Sequence, residues 1–118
     1  MNITIDPDSP TPPYEQVRLS IAALAADGTL AAGTKLPPVR QLATDLGLAA
    51  NTVARAYKEL EQAGLVETRG RLGTVITARA TGTSRRAQNA AATYAETTRA
   101  LGIPPETALA LVKAALET

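Results

Sequence analysis

Two stretches of helical periodicity, separated by one glycine, constrain the fold of this chain more than any other feature of its sequence. Apolar residues recur at steps of three and four in both stretches: Val39, Leu42, Ala43 and Leu46 in the first, and Val53, Ala56, Tyr57 and Leu60 in the second. This spacing predicts helices over about 39–46 and 50–63, each with one buried face. Gly47 and Gly64 follow the two stretches, where a left-handed residue commonly ends a helix. Two short helices joined by a tight turn form the helix-turn-helix pattern.

A further helix and a hairpin flank this pair. Upstream, a proline-rich stretch at 9–13 precedes an apolar stripe: Tyr14, Val17, Ile21 and Leu24. The stripe predicts a helix that starts near Pro13 and ends at Asp27-Gly28, followed by a loop at 33–38. Downstream, 65–69 and 74–78 alternate in polarity around 70–73, which predicts a β-hairpin. A basic residue at its tip suits a wing, although a plain surface hairpin has the same pattern.

The last forty residues form a separate tail. Residues 79–88 are small, polar and basic, and we predict a linker there. A narrow helical seam follows: Ala87, Ala91, Tyr94, Thr98 and Leu101. A break at 102–106 precedes a last helix whose apolar face carries Ala108, Leu109, Val112, Ala115 and Leu116. Two such helices leave an apolar side open, and a two-fold homodimer would cover it. We therefore predict a helix-turn-helix domain, of a type common in DNA-binding proteins, at 1–78 and a linker with a two-helix dimerisation tail at 79–118.

Composition excludes several classes of function. The chain has no Cys and no His, which removes thiolate nucleophiles, most zinc sites and the commonest acid–base residue. We expect no enzymatic activity, no cofactor and no metal site. The first ten residues do not resemble a signal peptide, and no apolar run reaches the ~18 residues that span a membrane. A cytoplasmic protein without membrane contact is the expectation.

Charge is concentrated in the middle of the chain. Residues 35–86 carry nine basic and four acidic residues, whereas 1–34 carry one basic and four acidic and 87–118 carry two basic and three acidic. A basic segment between mildly acidic ends suits a nucleic-acid surface, although a solvated charged face gives the same count. RNA is less favoured than DNA because aromatic residues for base stacking are few.

The segment "KLPPVRQLATDLGLAANTVARAYKELEQAGLVETRGRLGT" at 35–74 resembles the DNA-binding domain of the GntR family of bacterial regulators. Within it, "NTVARAYKELEQAGLVETR" is particularly similar to the YtrA-like subgroup, and the tail with "GIPPETALALV" is similar to that subgroup's short two-helix tail. The resemblance implies a mainly α winged helix-turn-helix with a small β-hairpin and a helical dimerisation tail. It implies a homodimeric, sequence-specific transcription regulator on an inverted-repeat operator in double-stranded DNA, with repression the favoured sign. An unidentified small-molecule effector would act near the dimer seam or the hinge at 79–86.

The resemblance also implies which residues meet DNA. The helix at 50–63 would enter the major groove, with base edges and phosphates reached by Asn51, Thr52, Arg55 and Lys58. Arg40 would meet DNA from the preceding helix, and the wing would contribute Arg69, Arg71 and Thr74. Structural alternatives remain open for most of them. Asn51 and Thr52 suit helix capping. Side-chain pairs within the protein are available for Arg40 with Asp45 or Glu59, Arg55 with Glu59, and Lys58 with Glu61 or Gln62.

Several residues depart from the family pattern. Pro38 stands where serine is usual, and Ala49 occupies a position that usually holds a polar cap. Ala50 replaces a common Arg or Pro, Leu72 takes a usually basic position in the wing, and Gly70 lies one place early. We therefore expect fewer phosphate contacts than in a typical member and a shallower salt dependence of binding. The losses also lend weight to a second hypothesis, a winged helix that binds a protein and not DNA.

Overall fold

The computed structural model describes residues 1–82 and 85–118, in two compact units, Met1–Thr83 and Ser84–Thr118. The first unit contains α1 (Pro13–Ala26), α2 (Val39–Leu46), α3 (Ala50–Gln62), β1 (Val66–Thr68), β2 (Thr74–Ile76) and α4 (Ala78–Thr81). The second contains α5 (Arg85–Ala100) and α6 (Pro105–Leu116). The predicted class, mainly helical with one hairpin, is confirmed. No helix in the described ranges is long and apolar enough to cross a membrane.

The core of the first unit lies around α3. Its buried face is the one that periodicity predicts, Val53, Ala56, Tyr57 and Leu60. This face packs against α1 and α2 and against the first strand of the hairpin. α1 contributes Val17, Ile21 and Ala25. Its buried stripe therefore ends one residue after the predicted Leu24, which is only partly buried. One side of α3 is therefore covered by the rest of the unit, and its opposite side faces solvent.

The turn between α2 and α3 follows from two residues. Gly47 ends α2 with φ +68°, a left-handed conformation that costs glycine little because it has no Cβ. Ala49 precedes α3 with an extended backbone and supplies no side-chain cap. α2 likewise begins after Pro38 without a side-chain cap. The prediction that both helices start without a side-chain cap is thus confirmed.

The segment at 33–38, predicted as a loop, lies along the outer edge of β2. Leu36 N–H donates to the Thr74 carbonyl at 2.8 Å, and Lys35 forms a bridge with Val75. On its other side β2 pairs antiparallel with β1, in the register Val66↔Ile76 and Thr68↔Thr74. The extended conformation is favoured because Leu36 is drawn into the core, where it is almost fully buried. β2 therefore has hydrogen-bonded neighbours on both of its edges.

The predicted linker at 79–88 is wrong for most of its length. α4 occupies Ala78–Thr81, and α5 begins at Arg85; residues 83 and 84 lie outside the described residues. α4 forms because the Thr77 side chain caps it, accepting from Ala80 N–H at 3.3 Å. The same hydroxyl donates to the Gly64 carbonyl at 2.7 Å, so the end of α3 anchors α4. The first compact unit consequently extends beyond our predicted boundary at 78.

The second unit is a helical hairpin with much apolar surface in solvent. Tyr94 Oη donates to the Ala108 carbonyl at 2.8 Å and ties α5 to α6. Ile103 N–H donates to the Thr98 carbonyl at 2.9 Å at the turn. Several large side chains remain uncovered within this unit, by their exposed fraction Leu116 (81%), Leu101 (69%), Leu109 (68%) and Leu111 (51%). As predicted, the two helices do not bury each other's apolar faces.

Tyr57 offers a test of how α3 is anchored. Its Oη donates to the Pro37 carbonyl at 2.7 Å, and burial raises its pKa to about 12. We expect Tyr57→Phe to lower the free energy of unfolding by about 1 kcal/mol at pH 7, because the carbonyl loses its partner. Urea titration of both proteins measures this difference, and equal stabilities would contradict the anchoring role.

The stabilising effect of this hydroxyl should also depend on pH. Below about pH 10 the hydroxyl is protonated in both the native and the unfolded chain, so its contribution is complete. As pH rises towards 12 the unfolded chain releases the proton first, and that contribution declines. The stabilities of wild type and Tyr57→Phe should therefore converge over this interval in the same urea titrations. A gap that widens with pH would be inconsistent with the raised pKa.

The missing cap of α3 gives a second test. Ala49→Ser places an acceptor hydroxyl where the backbone is already extended, and we expect about 1 kcal/mol of added stability. Ala50→Ser, one residue into the helix, is the matched control because its hydroxyl cannot cap the first turn. Urea unfolding midpoints compare the two variants. Equal changes in the unfolding midpoint for the two variants would show that the missing cap does not limit the stability of α3.

Candidate nucleic-acid interface

The start of α3 presents polar groups that nothing in the described chain engages. Asn51 is exposed and Thr52 is partly buried, and neither side chain makes a hydrogen bond within the described residues. The backbone N–H of Asn51 also lacks an acceptor among them, as expected in a first helical turn. The capping alternative considered for these two residues is therefore not what the structure shows. Hydrogen-bond donors remain available here to an external acceptor such as a phosphate or a base edge.

Arg55, one turn further along α3, has two partners inside the protein. Its guanidinium carbon lies 3.7 Å from the centroid of the Tyr14 ring. Its Nε lies 3.5 Å from Oε2 of Glu59, the pairing that we considered from the sequence. The side chain nevertheless keeps 61% of its surface exposed. Arg55 is thus oriented by its neighbours while its outer end faces solvent.

Arg40 and Lys58 are exposed cations without such partners. Arg40 lies in the first turn of α2, and Lys58 lies on the solvent side of α3. Neither forms an ion pair with a described residue, so the pairings considered with Asp45, Glu59 and Glu61 are not formed. Their charge is compensated only by solvent, which suits a contact with phosphate.

The hairpin tip places its two arginines in different situations. Arg69 is held by Glu67, to which its Nε donates at 2.7 Å. Arg71 lies in the short 3₁₀ turn Gly70–Leu72, exposed and without an ion pair among the described residues. Thr74, the last of the predicted wing contacts, is partly buried at the start of β2. Of the three, Arg71 is therefore the one whose charge is most available to a ligand.

Two residues at this surface were not predicted from the sequence. Lys35 was counted only as part of a loop, yet its bridge to Val75 and the approach of its side chain to Gly73 put its charge beside the wing. Tyr14 was assigned to the apolar stripe of α1, yet its ring supports Arg55. Pro13 and Tyr14 border a small pocket with Asn51, Thr52 and Arg55. No local pattern signals these neighbours, because each pair joins elements far apart in the chain.

Comparison with known proteins identifies the family. The family model described as bacterial regulatory proteins, gntR family, matches residues 13–76. The HTH-type transcriptional regulator Rv1152 of Mycobacterium tuberculosis is 45% identical over 107 residues, which cover 91% of this chain and 88% of that protein. The HTH-type transcriptional repressor YtrA of Bacillus subtilis is 52% identical over 75 residues, 63% of this chain and 57% of its own length.

A solved structure extends the similarity beyond the first unit. YtrA from Sulfolobus acidocaldarius, a GntR-family transcription factor, superposes with a TM-score of 0.62 at 35% identity, over 85% of this chain and 97% of that chain. The family match lies in the winged helix, and the two YtrA proteins identify the subgroup. The chain therefore belongs to the GntR family of bacterial regulatory proteins, in its YtrA-like subgroup.

Proposed function

We propose that this protein is a sequence-specific transcriptional repressor that binds an inverted-repeat operator in double-stranded DNA as a homodimer. The observation that carries the proposal is the solvent face of α3, where Asn51, Thr52 and Lys58 have no partner in the described chain. Family membership supports DNA as the ligand, and the Bacillus subtilis relative is named a repressor. We propose the cytoplasm, where chromosomal DNA is accessible, as its location.

In the proposed complex α3 lies in the major groove. Asn51 and Thr52 reach base edges or phosphates at its start, and Lys58 reaches the backbone further along. Arg40 contacts a phosphate from the first turn of α2, where its backbone N–H has no acceptor among the described residues. At the wing, Arg71 and Lys35 approach the backbone or the minor groove, whereas Arg69 must first exchange its bond to Glu67. Thr74 lies at the base of the wing and contributes to DNA binding through that position.

The second unit supports the dimer. A groove between α5 and α6 is lined mainly by apolar side chains, including Ile103, Leu109 and Val112. A second copy of this hairpin would cover the groove and the exposed leucines, which stabilises association through buried apolar surface. Two-fold symmetry then spaces the two α3 helices for successive major grooves, about one helical turn apart.

Repression follows from occupancy, because a dimer bound across a promoter excludes polymerase. A small-molecule effector would act on the second unit or on the hinge predicted at 79–86, since the first unit provides the DNA surface. Part of that hinge is the helix α4, and residues 83 and 84 lie outside the described residues.

The DNA contacts can be tested with a fragment from upstream of the protein's own gene. We expect Arg40→Ala and Lys58→Ala each to weaken binding and to make the slope of log K against log salt shallower by about 0.9, because each removes one phosphate contact. Fluorescence anisotropy at several salt concentrations measures both effects. Lys113→Ala, with the same charge change on α6, is the matched control.

Three outcomes would count against the proposal. If Arg40→Ala and Lys58→Ala leave the slope of log K against log salt unchanged, α2 and α3 do not contact the phosphates as proposed. If the wild type binds no promoter fragment, the protein-binding alternative gains weight. A wild-type slope steeper than about −8 would also contradict the small number of phosphate contacts that we expect from Pro38, Ala49 and Leu72.

The dimer has its own test. We expect the wild type to sediment as a dimer, and Leu109→Asp combined with Leu116→Asp to sediment as a monomer, because charges on the apolar face oppose its burial. Leu19→Asp is the matched control, since Leu19 is an exposed leucine on α1 in the first unit. A monomeric wild type, or a control variant that dissociates equally, would overturn dimerisation through the tail.

A further inference from the structure

We propose that Tyr14 is a positioning residue for base recognition, which holds the Arg55 guanidinium so that its outer edge can bind a guanine of the operator. The inference rests on the proposed function and adds a residue of α1 to a surface otherwise formed by α2, α3 and the wing. Tyr14 acts through Arg55 and is not itself assigned a contact with a base.

The stacking geometry is the first step. The Arg55 guanidinium carbon lies 3.7 Å from the centroid of the Tyr14 ring, the distance of direct contact between two planar groups. Contact over the ring face is attractive because the face carries partial negative charge. The contact is made at the guanidinium carbon, whereas the N–H donors lie on the nitrogens around it, so the ring leaves these donors open to other partners.

Glu59 defines the second restraint. Its Oε2 lies 3.5 Å from Nε of Arg55, so the carboxylate occupies the side of the guanidinium that carries Nε. This oxygen is buried and makes no hydrogen bond to another described residue, and its ion pair among them is with Arg55. With the ring on one face and the carboxylate on one edge, the side chain loses much of the freedom that an exposed arginine otherwise has.

The remaining edge is the one that recognition requires. Neither terminal nitrogen makes a hydrogen bond with a described residue, and 61% of the side-chain surface is exposed. The pocket beside the guanidinium is bordered by Asn51 and Thr52, the residues at the start of α3. A pair of parallel N–H groups matches O6 and N7 of guanine in the major groove. A side chain already oriented loses less conformational freedom on binding, which favours the correct base.

If the contact between Tyr14 and Arg55 had only a structural role, the variants would affect stability and affinity differently. Were Arg55 only a bridge between α1 and α3, its loss would reduce stability and would weaken binding to all DNA sequences alike. Were it a base-reading residue positioned by Tyr14, the loss would be specific to one G·C pair. The ring of Tyr14 would matter, whereas its hydroxyl would not.

The experiment compares Tyr14→Leu, Tyr14→Phe, Arg55→Ala and the double variant Tyr14→Leu/Arg55→Ala. Affinities are measured for the upstream fragment that the wild type binds and for fragments in which each G·C pair of a half-site is replaced in turn by A·T. We expect Arg55→Ala to lose roughly 5- to 100-fold on the original fragment and to be indifferent to one replacement. We expect Tyr14→Leu to lose about two- to fivefold, Tyr14→Phe to match the wild type, and the double variant to match Arg55→Ala.

A second measurement needs no DNA. The Arg55 Nε–H resonance should show a ring-current shift in the wild type and in Tyr14→Phe, and not in Tyr14→Leu. Urea unfolding of each variant identifies any general loss of stability.

The outcomes separate this inference from the proposed function. Suppose that the wild type binds the fragment. Tyr14→Leu could then bind as well as the wild type, weaken binding to the original and to every replaced fragment by the same factor, or weaken binding further in the Arg55→Ala background. Each of these results overturns the positioning role and leaves DNA binding standing. A Tyr14→Phe variant as weak as Tyr14→Leu would also overturn it. A wild type that binds no upstream DNA would overturn both.

Discussion

The burial of one face of α3 is the interaction on which the rest of the structure depends. Val53, Ala56 and Leu60 are fully enclosed by α1, α2 and the hairpin. Because successive residues of a helix are about 100° apart, enclosing these positions leaves Asn51, Arg55 and Lys58 on the outside. The recognition surface is in this sense a product of the core: no separate device is needed to expose it, and a rotation of α3 would bury charge.

The charges on this surface differ in how freely they can act. Glu67 holds Arg69, and Glu59 together with Tyr14 holds Arg55, whereas Arg40 and Arg71 have no ion pair with a described residue. A cation compensated only by water exchanges readily for phosphate contact, which supplies affinity without sequence information. A cation held by neighbours is better suited to geometry-dependent recognition. The same few basic residues can therefore serve two different purposes.

The two compact units carry different kinds of unsatisfied surface. The first exposes polar donors and positive charge, and the second exposes leucines on α6 and in the turn that precedes it. Polar donors suit a nucleic acid, whereas a contiguous apolar face favours association with another protein surface. A small chain with few aromatic residues and many alanines gains stability from such association, because its own core is limited. The proposed dimer and the proposed DNA contact thus use different surfaces of the chain.

Local patterns determined the helices, their inward faces, the hairpin and the missing caps, because helical periodicity, glycine and proline act within a few residues of chain. The tail helices were predicted for the same reason. The prediction of a linker at 79–88 was wrong because Thr77 caps α4 and bonds to Gly64, which follows a different helix. The candidate residues were predicted as types on a helix or a turn. Only the tertiary structure decided which of them have partners within the protein. Tyr14 contacts Arg55, and Lys35 pairs with Val75, although each pair is far apart in the chain. Such partners depend on how whole elements pack, and no spacing within a single element encodes them.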